Sequence, residues 1–181
     1  VVLSGPSGSG KSSCLSAVAG LQPLVSGSLT VAGQLLTEAN ADAWRARLAW
    51  VPQAVHVPDV TLRAFLTIRG GEDRIAEALR ASGAEGFVAA LPDGLETRLG
   101  ETGAGVSGGE ARRLLLARAM LARADVVLAD EPTADLDADT ARVVISALRG
   151  MATEGAAVLV ASHDPAVVAA MDATVPMERA A

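Results

Sequence analysis

The chain has 181 residues, half of them hydrophobic, and a formal net charge of −6. This length holds one domain with a sizeable core, and the acidic balance argues against a surface that coats nucleic acid. A single cysteine excludes a disulfide framework and a Cys-rich zinc site.

The first element is expected at Val1–Ser4, a short apolar run leading straight into glycines, and it reads as a buried strand. No methionine precedes it, so the chain is expected to be an N-terminally truncated piece of a longer one. A helix is predicted over Lys11–Leu21. Ser28–Ala32 with Gly33 and Gln34 reads as a strand and turn of a small antiparallel accessory. Leu48–Pro52 is a second buried strand. Residues 54–125 differ: short helical stretches at Thr61–Ile68, Glu72–Ser82 and Glu85–Leu91 precede a longer one at Arg112–Arg123. Strands return at Val126–Asp130, Ala157–Ser162 and Ala173–Met177, with a helix over Asp137–Ala152 among them. The expected architecture is α/β: a parallel-sheet core from residues 1–53 and 126–181, with 54–125 as a helical insertion. The longest uncharged stretch, residues 12–37, is broken by Gly20, Pro23, Gly27 and Gly33 and is no membrane span. Nothing resembles a signal peptide.

Gly5-Pro6-Ser7-Gly8-Ser9-Gly10-Lys11-Ser12 fits G-x-x-x-x-G-K-[ST] at every fixed position and lies between a strand and a helix. Such a loop curls so that successive N–H groups face phosphate oxygens, and the helix that follows, through Ser12 and Ser13, adds its positive end. Lys11 is the only lysine of a chain that otherwise uses arginine, as expected where a compact ammonium is needed. Lys11 is assigned to the β- and γ-phosphates and the Ser12 hydroxyl to Mg²⁺. The chain is expected to bind a nucleoside triphosphate.

Val126–Asp130 ends in a carboxylate and is followed by Glu131. Asp130 is assigned to the second side of Mg²⁺. Glu131, one residue further, is expected on the other face of the strand end, where it would orient or deprotonate an attacking water. The bland alternative is a polar turn at Pro132, disfavoured by the phosphate loop upstream.

Val106-Ser107-Gly108-Gly109-Glu110 combines a capping box, Ser107 with Glu110, and two glycines that leave the first helical amides uncovered. It resembles the LSGGQ signature of ATP-binding cassette (ABC) ATPases, with Val for the first Leu and Glu for Gln. Gln53, at the end of a strand, matches that family's Q-loop, and Thr133–Asp137 its D-loop, with Asp137 at the last acidic position. His163, just past a strand, matches the switch histidine; His56 has no such frame and reads as a loop residue. Thr97–Gly103 resembles the TxxGExG segment of exporter-type members, where it faces the membrane domain. Residues 44–53 and 58–65 are similar to those of bacterial thiol-reductant exporters needed for cytochrome bd assembly.

The resemblance implies a RecA-like P-loop NTPase core, a helical subdomain, and an antiparallel β-subdomain largely missing here with its adenine-stacking aromatic. It implies ATP and Mg²⁺ as ligands, the latter with Gln53 nearby, and hydrolysis involving Lys11, Gln53, Glu131 and His163. It implies head-to-tail pairing with a second ABC ATPase domain, in which Ser107, Gly108, Gly109 and Asp137 act across the interface. A transmembrane domain, on the cytoplasmic face of a bacterial membrane, is the other implied partner; nucleic acid is not. An importer ATPase, a soluble ABC ATPase of DNA repair and a non-hydrolysing half-site are the alternatives. Cys14, Trp44 and Trp50 are expected to pack.

Overall fold

The computed structural model describes every residue except 25, 32, 101–104 and 179–181. Five strands form one parallel sheet: β1 (Val2–Ser4), β4 (Leu48–Val51), β5 (Val126–Asp130), β6 (Ala157–Ala161) and β7 (Thr174–Pro176), in the order β4-β5-β6-β1-β7. Two more, β2 (Thr30–Val31) and β3 (Gln34–Leu35), make a small antiparallel pair. This is the α/β P-loop architecture expected, with a small antiparallel accessory. Ala32, the last residue of the accessory strand as predicted, lies outside the described residues.

Alternation along each parallel strand sends side chains to opposite faces. Val2, Ala49, Val51, Val127, Ala129, Val158 and Val160 join one buried cluster, while Leu3, Leu48, Leu128 and Ala161 join another. Helix α1 (Lys11–Val18) and helix α2 (Glu38–Arg45) cover the second face through Leu15 and Trp44, whose Nε1 donates to the Val18 carbonyl at 2.7 Å. Trp50 and Cys14, both half-buried, pack against the same cluster.

The first face is covered by α3 (Leu62–Leu66), α4 (Ile75–Ala81), α5 (Glu85–Ala89) and α6 (Gly108–Leu121), and by α7 (Ala138–Thr153) and α8 (Pro165–Ala170). The inserted helices share one continuous core with the sheet: Leu62, Phe65, Leu79, Leu114 and Leu116 lie in the same cluster as Val51 and Val127. The insertion forms no named strand among the described residues, and Thr61 and Arg98 meet in an isolated antiparallel bridge.

Most boundaries fall within a few residues of expectation. Helix α1 stops at Val18 because Gly20, at φ +66°, takes the left-handed turn that ends it. The predicted helix at 72–82 opens as a 3₁₀ turn, Glu72–Arg74, before α4. Two helices were not foreseen. Helix α2 carries a Thr37–Asn40 capping box, and α8 has Asp164 as its N-cap with Pro165 next. Both signals were readable, but eight and six residues give too little periodicity to draw attention.

Candidate functional site

Every group assigned to phosphate chemistry at a strand end sits at the C-terminal edge of the sheet. The glycine loop leaves β1, the Asp130–Glu131 pair closes β5, and His163 follows β6. In an open parallel sheet this edge is where ligands bind. The parallel register aligns the strand ends, pairing Leu3 with Ala161 and Asp130 with Ala161.

The loop depends on glycine for two separate reasons. Gly8 and Gly10 have φ of +81° and +88°, conformations that L side chains rarely adopt. Gly5 is required by a close approach: a Cβ there would stand 2.1 Å from the carbonyl oxygen of Met177, just past β7. Gly10 caps α1 without a side chain, so no neighbour competes for the first amides of the helix.

Lys11 is only 6% exposed and is held from three sides. Its Nζ donates to the carbonyls of Gly5 at 2.8 Å and Pro6 at 3.0 Å, and lies 3.7 Å from Glu131 Oε1. Glu131 also accepts from Ser162 Oγ at 3.2 Å, and its Oε1 is 2.9 Å from His163 Nδ1. Lys11, Glu131, Ser162 and His163 therefore form one connected network.

Strict alternation predicted Glu131 on the opposite face from Asp130, and that expectation is corrected. Glu131 has φ +45°, a left-handed backbone that breaks the alternation and turns its carboxylate to the lysine side. The turn that follows contains a second such residue, Asp135 at φ +60°. Thr133 Oγ1 donates to Asp164 Oδ2 at 2.7 Å, joining this turn to the residue after His163.

Asp130 is 5% exposed, and its Oδ1 is buried with no hydrogen-bond partner. Burial pushes its carboxyl above the usual aspartate range; the Ser12 hydroxyl bond opposes this, Glu131 adds to it, and Lys11 opposes it. An orphaned carboxylate oxygen beside a serine hydroxyl suits a hard cation that takes its remaining oxygens from phosphate and water. The described residues contain no cluster of three or more His, Cys, Asp or Glu side chains able to hold a metal by itself. The donor set therefore fits Mg²⁺ arriving with a nucleotide.

The other assigned residues form a second group. Ser107 caps α6: Glu110 N–H donates to Ser107 Oγ at 3.3 Å, while Ser107 N–H and Oγ each donate to Glu110 Oε2 at 2.8 Å. Those bonds hold the Glu110 carboxyl below its usual range, the backbone N–H of Ser107 contributing most. Gly108 is open, and a Cβ at Gly109 would come within 3.1 Å of Leu136 Cδ2, so the signature glycine packs against the turn after β5. Asp137 caps α7, accepting from the amides of Asp139 and Thr140. Gln53 is exposed, and its carbonyl accepts from Arg112 Nη2 at 3.2 Å. Among the described residues, no hydrogen bond or ion pair joins Ser107–Gly109 to Lys11, Asp130 or Glu131. Of the exporter-like stretch, Thr97–Gly100 is described and Glu101–Gly103 lies outside the described residues.

Sequence reasoning passed over Ser162, Asp164 and Arg112. Only their position beside His163 or within the signature helix could have signalled them.

A glycine loop at the end of β1 and an acidic end to a neighbouring parallel strand define a P-loop nucleotide-binding protein. The signature helix narrows the class, and the ABC transporter family matches residues 1–134, so the chain belongs to that family. The transport ATP-binding protein AarD of Providencia stuartii is 36% identical over 88% of this chain and 28% of its own length. The glutathione/L-cysteine transport system ATP-binding/permease protein CydD of Haemophilus influenzae is 39% identical over 82% of this chain and 25% of its own length, in line with the thiol-reductant exporter resemblance. A bacterial Atm1-family ABC exporter solved with ATP bound superposes with a TM-score of 0.88 at 26% identity, covering 98% of this chain and 32% of that one. The chain thus spans about a quarter to a third of the length of these relatives.

Proposed function

We propose that this chain is the ATP-hydrolysing domain of an ABC exporter, closing on a second such domain with ATP between them. The observation that carries the reading is the network of Lys11, Glu131, Ser162 and His163 at the C-terminal sheet edge beside the orphaned Asp130 oxygen.

In this reading the loop amides of residues 5–13 and the end of α1 bind the phosphates. Lys11 exchanges the carbonyls of Gly5 and Pro6, and Glu131, for phosphate oxygens. Glu131, released from the ammonium, accepts the proton of the attacking water, while His163 and Gln53 orient that water and the terminal phosphate. Ser12 and Asp130, with Gln53 close by, hold Mg²⁺, which supplies charge neutralisation on the phosphates. Ser107, Gly108, Gly109 and Asp137 serve the site of the opposing domain.

The membrane part of the transporter docks on a groove of about 430 Å³ bordered by α1, β4, the end of α3 and α6. Leu21 and Ile68 are 63% and 72% exposed at its wall, beside Trp50 and the guanidiniums of Arg45, Arg69 and Arg118. Large exposed apolar side chains around a concave surface favour a protein partner. No helix among the described residues is long and apolar enough to cross a membrane. In the proposed setting the domain lies at the cytoplasmic face of a bacterial membrane.

The test is Mg²⁺-dependent ATP turnover of wild type, Lys11→Ala and Glu131→Gln, with nucleotide affinity measured alongside. Lys11→Ala should lose both binding and turnover; Glu131→Gln should bind ATP and not turn it over. Near wild-type turnover in Glu131→Gln would overturn the assignment of the proton acceptor.

A further inference from the structure

Arg112 lies one turn into α6 and is 6% exposed. Among the described residues its guanidinium makes no ion pair. It bonds instead to two backbone carbonyls far apart in the chain: Nη1 donates to Ala134 and Nη2 to Gln53, the latter at 3.2 Å. Its Nε is buried without a partner. Burying a full charge against two carbonyls is costly, and a neutral side chain of similar size would be the cheaper filler. What an uncharged filler lacks is the planar fork, which can reach two acceptors at once.

Both acceptors belong to segments assigned to the nucleotide. Gln53 opens the loop that leaves β4. Ala134 lies between Glu131 and Asp135, the two residues held at φ +45° and +60°. Left-handed non-glycine residues persist only where their surroundings over-determine them, and Arg112 grips the carbonyl between this pair. Leu136, two residues on, packs against Gly109 at the start of the same helix. One guanidinium thus joins the signature helix, the Gln53 loop and the turn that carries Glu131.

We propose that Arg112 is a positioning residue that makes these three segments move together. Displacement of the Gln53 loop is then transmitted through the guanidinium to the Glu131–Asp137 turn. The effect on turnover rests on the hydrolytic reading above; the tie itself is measurable without it.

The experiment compares full-length wild type with Arg112→Met, which keeps the apolar stem, and Arg112→Lys, which keeps the charge and loses the fork. Hydrogen exchange is followed at residues 53–57 and 132–136, together with ATP kcat and KM. In Arg112→Met, exchange should rise at least tenfold in both segments and stay unchanged in β5. Turnover should drop at least tenfold with KM within threefold. Arg112→Lys, able to reach one carbonyl at a time, should loosen both segments to a lesser degree, and it decides alone if Arg112→Met does not fold. Loosening of one segment or neither, a rise spread through β5 and the core, or wild-type behaviour of Arg112→Lys would each overturn the tie. If both segments loosen while wild type shows no ATP turnover, the tie stands and the hydrolytic reading falls.

Discussion

Glu131 shows how a single backbone angle rewrites a site. Strict strand alternation would put its side chain opposite that of Asp130, and with φ +45° its carboxylate lies 3.7 Å from Lys11. Residue type and spacing were legible from the chain, as with Lys11, Ser12, Asp130 and His163. A left-handed conformation in a residue other than glycine leaves no mark in the sequence, and neither does the partner of a long arginine such as Arg112. Glu110 offers a prediction with a definite sign. Its carboxyl is held below the usual range by the Ser107 bonds, so the folded pKa is depressed relative to the unfolded chain. Its contribution is full above the unfolded value and disappears as pH falls through the lower folded one. Thermal unfolding between pH 7 and 5 should show no loss attributable to Glu110, with the loss confined to pH below about 4.3. Glu110→Ala should cost about 1 kcal/mol at pH 7 as a lost cap and abolish that acid-side dependence in the difference between the two proteins. Gly5→Ala should destabilise by about 1–3 kcal/mol as an overpacked contact, because its Cβ meets the backbone of Met177 and not a flexible side-chain end. A wild-type melting temperature in Gly5→Ala would contradict the approach.

Among the elements, the parallel strands β1, β4, β5 and β6 were the most readable, since each is a largely buried run of mainly apolar residues, whereas β7 at the sheet edge is exposed. Strands β5 and β6 match expectation almost to the residue. Helix α6 shows an apolar pattern only from Arg112, but the Ser107–Glu110 capping box read from the sequence marks the observed start at Gly108. Two glycines carry no hydrophobic signal, so only the cap could disclose the first turn. Helices α2 and α8 were missed for the same reason: their termini are marked, but their bodies are too short for a pattern. Helix α6 also holds the insertion to the sheet, and Leu116 within it is fully buried. Leu116→Ala should destabilise by about 2–5 kcal/mol, seen as a lowered denaturation midpoint in urea. A loss below about 1 kcal/mol, the scale of a surface change, would mean that α6 is not central to the shared core. Arg118, which lies 4.7 Å from the Phe65 ring, ties α6 to α3 through a contact that charge patterning does not predict.

At the scale of the whole molecule, the division into two groups of site residues carries the strongest expectation. Lys11, Glu131, Ser162 and His163 form one network, whereas among the described residues no hydrogen bond or ion pair joins Ser107, Gly108, Gly109 or Asp137 to it, and the proposed pairing gives this second group to the opposing domain. ATP turnover per mole of protein should therefore rise steeply with protein concentration and fall when Ser107→Arg is introduced. Turnover independent of concentration would remove the across-interface role of the signature. The groove gives a complementary test of the proposed docking: in the full-length protein, Ile68→Asp should leave ATP affinity within threefold while uncoupling the proposed transport from hydrolysis. Equal loss of affinity would mean that Ile68 serves the nucleotide site and not the partner.

The shared sheet edge has a further consequence for how the chain can change length. Lysine, aspartate and histidine follow or close three separate strands, β1, β5 and β6, whose ends are aligned by parallel register. A codon removed inside β1, β5 or β6 slides one of these groups by a full residue and swaps its face. A codon added to an exposed connection such as the turn at Gly70 leaves all three where they were. Codon-by-codon insertion and deletion across the gene, scored for growth on a transport-dependent phenotype, should therefore give narrow intolerant bars at the three strands separated by broad permissive gaps. An even distribution of damage would show that register is not what fixes the site.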